Sequence, residues 1–245
     1  MRFVTIEYAG REWPAVLDGN SEDVVLLEAA DLVSVIEAGP AGLVAARNEL
    51  ATGERLPLAS VSLCAPVRRF RRDVLCTGWN YWDHFEESRG KREGQDVDRP
   101  GHPTFFTKGP DVVIGPYDEI AYDPAISAKW DYEAELALVI GKTGRSIPVA
   151  DALDHVWGYT LANDVSQRDL QRQHGGQWLK GKSIDQTMPL VPADEFGDPQ
   201  DVHLQCLLNG EVMQDASTKQ MAYEVVTRAD KIGELRNTLV YRELA

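Results

Sequence analysis

The chain is poor in the features that mark secreted, membrane-spanning or nucleic-acid-binding proteins. Its 245 residues include only three cysteines, Cys64, Cys76 and Cys206, widely spaced and without a C-x-x-C pair. That count excludes a disulfide framework and a thiolate zinc site, and reads as reduced, partly buried thiols. No apolar run approaches the ~20 residues of a spanning helix, and Met1 to Gly10 lack the basic stretch and apolar core of a secretory signal. Positive charge is also scarce: 25 Lys and Arg stand against 39 Asp and Glu, a net −14. So acidic a surface repels nucleic acids and anionic membranes, excluding both as partners, and the expected place is the cytoplasm. There is no internal repeat and no low-complexity tract. What remains is a globular balance, 43% hydrophobic and 26% charged, and an excess of carboxylates that can attract a divalent cation or simply keep the protein dissolved.

Residues 1–65 read as a small N-terminal α/β domain with a strand through Phe3, Thr5 and Tyr8, a turn at Asp18-Gly19-Asn20, and helices Leu32–Glu37 and Leu43–Leu50. Residues 66–245 read as a larger, mainly β unit. The stretch Ser88 to Pro103 is a polar loop, and long loops in compact domains are commonly functional or disordered. Asp131 to Ile140 is the clearest strand, Ala152 to Val156 a short helix, and Tyr159 to Val165 a further strand. Ser166 and Asp169 have capping-box spacing before a helix ending at Gly175-Gly176. Asn209-Gly210 joins two strands of a hairpin.

Alternate residues of a strand share a face, so Asp131, Glu133 and Glu135 point the same way. Three carboxylates in a row repel one another, and a hard dication removes the penalty; a solvated acidic face is the other reading. Asp164 either enters a helix or joins the same ion from the neighbouring strand. His84 and Glu87 fall on one face if Asp83 to Ser88 is helical, where a carboxylate raises an imidazole's basicity. Gly176 to Ser183 spells a P-loop, but Trp178 and Leu179 fill the loop and no strand precedes it. His174-Gly175-Gly176 lacks the G-x-S-x-G elbow of a serine hydrolase.

Six segments together resemble the fumarylacetoacetate hydrolase family: Gly78 to His84, Phe105 to Lys108, Asp131 to Leu136, Gly158 to Gln171, Gly181-Lys182-Ser183 and Leu208 to Glu211. The likeness runs from about Val74 to Val225. It implies a mainly β, rolled mixed sandwich in a homodimer, and a Mg²⁺ or Mn²⁺ (Ca²⁺ as a stand-in in crystals) held by Glu133, Glu135 and Asp164. It further implies His84, Glu87 and Lys182 as catalytic residues, with Gln171, Lys108 and Asp131 near the substrate. The expected reaction is C–C hydrolysis of an acylpyruvate-type 2-oxo acid through a stabilised enolate. The same chemistry serves an isomerase or decarboxylase of hydroxymuconate- or oxaloacetate-like compounds, and an inactive binding homologue is the remaining alternative. Two departures from the family pattern stand out: a short connection between Pro189 and the segment Ala193 to Asp201, and a charged, helix-like tail from Thr227 to Ala245 without the family's Gly-Thr-Pro loop.

Overall fold

The structure is a computed structural model, and it describes residues 1–91, 97–191, 198–223 and 236–242. Parts of three expectations lie outside these residues: the middle of the Ser88–Pro103 loop, most of Ala193 to Asp201, and most of the tail.

Residues 2–63 build an antiparallel sheet from β1 (Arg2–Tyr8), β2 (Arg11–Leu17), β3 (Asp23–Leu26), β4 (Arg55–Pro57) and β5 (Ser62–Leu63), in the order β4-β3-β2-β1-β5. Ala9 and Gly10 both take positive φ, 52° and 79°, giving the left-handed pair a tight hairpin requires. Helices α1 (Leu32–Glu37) and α2 (Pro40–Thr52) cover one face. The second helix starts three residues earlier than the periodicity predicts. Pro40 is its first residue, where a missing N–H costs nothing.

The remainder is a set of short ribbons: β6 (Val74–Gly78), α3 (Trp82–Glu87), β7 (Thr104–Lys108), β8 (Val113–Ile114), β9 (Ile120–Tyr122), β10 (Trp130–Asp131), β11 (Ala134–Ile140), β12 (Val156–Asn163), β13 (Ser166–Gln167), α4 (Arg168–Gln173), β14 (Met188–Pro189), β15 (Asp198–Pro199), β16 (His203–Leu208), β17 (Glu211–Ser217) and β18 (Leu239–Tyr241). Most pairs are antiparallel, while β14 with β8 and β18 with β9 run parallel. The expected mainly β, mixed architecture is what the chain adopts.

Phe3 of β1 stacks 4.8 Å from Trp157 of β12. Val139 joins the same cluster with Val16, Leu27 and Leu32. The N-terminal sheet thus packs on the far end of the β11–β12 ribbon, through Val139, which by alternation shares a face with Glu135. On the other side, Leu136 and Leu161 pack against Val202 and Leu204 at the start of the β16–β17 hairpin. Its turn, Asn209-Gly210, has the expected positive φ pair of 53° and 86°.

Four local expectations need correction. Asp131 to Ile140 is not one strand: it breaks at Tyr132-Glu133 into β10 and β11, which pair with β13 and β12 respectively. Ser166 and Asp169 form no capping box. The Ser166 hydroxyl donates to the Asp164 carbonyl at 2.8 Å, Asp169 accepts from Ser127 and Ala128, and Gln167 occupies the cap without a side-chain bond. The helix expected at Ala152 to Val156 is a 3₁₀ segment, Val149–His155. Within the tail, Leu239–Tyr241 is a strand on Ile120–Tyr122, whose edge gives its backbone groups partners. Among the described residues, no helix is long and apolar enough to cross a membrane.

Candidate active site

The β11–β12 register decides which acids meet. Glu135 lies opposite Ala162 and Ala134 opposite Asn163, which sets Glu133 across from Asp164 just beyond the ribbon's end. Two bonds fix that end: the Asp164 N–H donates to the Glu133 carbonyl at 2.8 Å, and the Glu133 N–H donates to Asn163 Oδ1 at 3.0 Å. Glu133, Glu135 and Asp164 consequently offer carboxylate oxygens that all lie within 4.8 Å of one another. Asp131 stands apart from this trio, and its Oδ2 accepts from Arg168 Nε at 2.7 Å.

Cations interleave with these acids. Lys108, fully buried, donates from Nζ to Asp164 Oδ1 at 2.7 Å and to the Val165 carbonyl at 3.1 Å. Lys182 bridges Glu133 and Asp164, at 2.9 Å from Asp164 Oδ2. Arg168 spreads its guanidinium over Asp131, Glu133 at 2.5 Å and Gln171 Oε1 at 3.1 Å. Gly181 makes this possible. A Cβ there would fall 2.4 Å from the Gln171 backbone nitrogen, so only glycine lets the Lys182 segment lie against α4. The Gln167 N–H donating to the Gly181 carbonyl at 2.8 Å secures the approach.

The charges do not balance. Asp131, Glu133, Glu135 and Asp164 face Lys108, Lys182 and Arg168, and among the described residues no ammonium or guanidinium pairs with Glu135. Burial pushes Glu133 up, but Lys182 and Arg168 overcome it and hold that carboxyl well below the usual range. Glu135 moves the other way: burial, then the charges of Asp164 and Glu133, raise it well above an ordinary glutamate. Hard oxygen donors, close spacing and one uncompensated negative charge are the conditions that suit a small divalent cation.

A measurable consequence follows for the metal-free protein. Folded Glu135 keeps its proton to higher pH than the unfolded chain, where glutamate ionises near 4.5. Between those two values unfolding releases a proton, so this residue lowers stability as pH rises. Glu133, depressed in the fold, does the reverse and loses its contribution as pH falls below 4.5. In chelator-treated protein, Glu135→Gln therefore melts higher than wild type by a margin that widens as pH is raised from about 4.5. A constant margin in thermal melts across that window would mean that Glu135 ionises normally.

Glu133 and Glu135 line a cleft of about 810 Å³, with Asp164 buried behind them, and the lining also includes His84, Glu87, Asp131, Arg168, Gln171 and Lys182. Lys108 does not line it; the residue sits behind Asp164, so its contact is with the acid rather than with the cleft. His84 and Glu87 are on α3 as their spacing predicts, one turn apart, yet no hydrogen bond joins them. Burial is the main cause that lowers the His84 pKa, with Arg168 and Lys182 adding to it and Glu133 and Glu87 opposing. The imidazole is accordingly neutral near pH 7. Before α3, Trp79 holds φ at +54°, a conformation costly for a bulky residue. Trp178 and Phe85 lock it by edge contacts at 5.1 and 5.6 Å. That turn sends the chain from β6 toward the cleft. Arg168 is the residue that sequence reasoning missed. Its three-residue spacing to Gln171, directly after the acid-bearing strand, was the available signal.

The fumarylacetoacetate hydrolase C-terminal domain matches residues 73–235, ten positions beyond where the sequence likeness was expected to end. A human mitochondrial oxaloacetate tautomerase is 41% identical over 218 residues, covering 84% of this chain and 67% of that protein. Among solved structures, a fumarylacetoacetate hydrolase from Exiguobacterium antarcticum superposes with a TM-score of 0.76 at 35% identity, over 93% of this chain and 79% of that one. A 5-carboxymethyl-2-hydroxymuconate delta-isomerase from Mycobacterium smegmatis gives 0.76 at 27% identity, over 99% and 100%. A domain match across most of the ribbons and the same fold over nearly all of the sequence lead to one conclusion: the chain belongs to the fumarylacetoacetate hydrolase family.

Proposed function

We propose that the protein is a divalent-cation-dependent tautomerase or isomerase of a small 2-oxo dicarboxylate, of the oxaloacetate class. The observation that carries this reading is His84 facing the same cleft as Glu133, Glu135 and the cations Lys182 and Arg168. Glu133, Glu135 and Asp164 would hold Mg²⁺ or Mn²⁺, which as a Lewis acid makes the proton beside a carbonyl more acidic.

The chain's own residues supply the rest. Arg168, with its planar fork of donors, and Gln171 engage substrate carboxylate oxygens. His84, neutral and partly withdrawn from water, accepts the proton from the carbon next to the 2-oxo group. The electron pair of that C–H bond becomes the carbon–carbon double bond, and the carbonyl pair moves onto oxygen. Lys182 offsets the negative charge there. The proton then passes from the imidazole to that oxygen, or to a more distant carbon when the substrate is conjugated. Atoms balance, and no water is consumed.

Hydrolysis, expected first from the sequence, asks for more: a water fixed and deprotonated by a coupled pair. His84 and Glu87 share a face but are not bonded to each other, and the similar proteins named above include a tautomerase and an isomerase. One proton carrier is enough for enolisation. The deciding assay follows the ultraviolet enol band of oxaloacetate, with Mg²⁺ and with EDTA, alongside pyruvate release from an acylpyruvate. The expected result is metal-dependent loss of the enol band at more than ten times the uncatalysed rate, abolished by EDTA. Faster acylpyruvate cleavage than enol decay would return the reading to a hydrolase, and turnover indifferent to EDTA would remove the cation from it.

A further inference from the structure

Helix α3 carries His84 but is only six residues long, and no side chain caps it at Tyr81. A helix of that length does not hold itself in water. Its hold comes from residues distant in sequence. The Ala222 N–H donates to the Asn80 carbonyl at 2.6 Å and the Tyr223 N–H to Asn80 Oδ1 at 3.1 Å, while Tyr81 and Met221 form a β-bridge. The Tyr223 ring meets Trp82 edge-on at 5.9 Å, and its hydroxyl donates to the Pro100 carbonyl at 2.7 Å. From the Pro100 side, the Arg99 guanidinium lies 5.0 Å from the Trp82 ring and pairs with Glu86 at 2.7 Å.

We infer that Tyr223, assisted by Arg99, is a positioning residue: it latches the His84 helix over the cleft by tying Asn80, Trp82 and Pro100 into one unit. Tyr223 reaches all three. It is not itself a lining residue of the cleft and pairs with none of the acids, so it acts through Asn80 and α3. Arg99 is solvent-exposed and its ion pair is weak on its own; lying 5.0 Å from Trp82, it adds a second contact to the same ring. The importance of the helix for catalysis rests on the proposed function above, whereas the latch itself does not.

The test is amide hydrogen exchange on the full chain without substrate. The Phe85 and Ser88 amides, bonded to the Tyr81 and His84 carbonyls, report opening of α3. Tyr223→Phe keeps the ring and loses the bond to Pro100, so these amides exchange about fivefold faster. Tyr223→Leu loses both and accelerates them by more than about tenfold, while amides of β1 and β2 stay unchanged. In any 2-oxo-acid assay that shows turnover, kcat/KM falls by the same graded factors. Acceleration spread equally over the whole chain would make Tyr223 a general stabiliser and overturn the latch, as would unchanged exchange in α3. Helix-local exchange in a protein that turns over no 2-oxo acid would instead refute the proposed function and support the latch.

Discussion

Asp164→Ala loses about 3–5 kcal/mol of stability in urea denaturation. Asp164 is fully buried and accepts from two ammonium groups, Lys108 and Lys182, themselves all but inaccessible. Removing the acid leaves Lys108 with carbonyl acceptors alone and Lys182 with Glu133 alone. A buried charge stripped of its partner retains its desolvation cost and loses what offset it. Burial already pulls Lys108 below the usual lysine range, with Asp164 as the chief opposing influence. The double variant Lys108→Met with Asp164→Leu removes both ends of one pair and recovers part of the loss, because an apolar replacement carries no desolvation penalty. A single-variant loss below about 1 kcal/mol would show that water reaches this network, since only screened surface pairs are worth so little.

His84→Ala lowers kcat by about 10²–10⁴, the range a positioned proton carrier supplies, and leaves folding and Mg²⁺ affinity in place. The reasoning is geometric. His84 reaches the cleft from α3, whereas Glu133, Glu135 and Asp164 hang from the β11–β12 ribbon, so the imidazole can be lost without moving an acid. Turnover is measured on the enol band, and metal affinity by calorimetry on the same preparation. Turnover within about threefold of wild type would deny His84 the proton, since a lost general acid–base group costs far more. A parallel fall in Mg²⁺ affinity would show instead that the ring supports the acids.

The legible parts of the site were those governed by short-range geometry. The two-residue spacing of Glu133 and Glu135 on an extended segment places them together whatever the remainder does. The three-residue spacing of His84 and Glu87 needed only one helical turn. Asp164 became legible through its resemblance to a known pattern, because the antiparallel register that sets it opposite Glu133 is a tertiary fact. Lys108 and Asp164 are 56 positions apart, and nothing local marks a lysine in Phe-Phe-Thr-Lys as buried behind an acid instead of facing substrate. Arg168 escaped notice because an arginine beginning a short helix looks like a solvated residue; its three acceptors are Asp131 and Glu133, from one distant stretch, and Gln171 on the next turn. Ser166 and Asp169 misled for a related reason. Both side chains had stronger partners nearby than the helix end, Asp164's carbonyl for one and Ser127 for the other. The strands and the Asn209-Gly210 turn were readable from alternation and left-handed turn chemistry, but the break at Tyr132-Glu133 was not. That break is a local interruption of a single antiparallel register, in which the Glu133 N–H turns to the Asn163 side chain instead of a ladder carbonyl.

The stacking of Phe3 on Trp157 ties two regions that otherwise look independent. The ribbon bearing Glu135 has its other end clamped to the first strand of the molecule, so its tilt is set from that end. Apolar substitutions in the part of this cluster drawn from residues 1–63 can for that reason tune the reactive face as a foundation tunes the level of a floor.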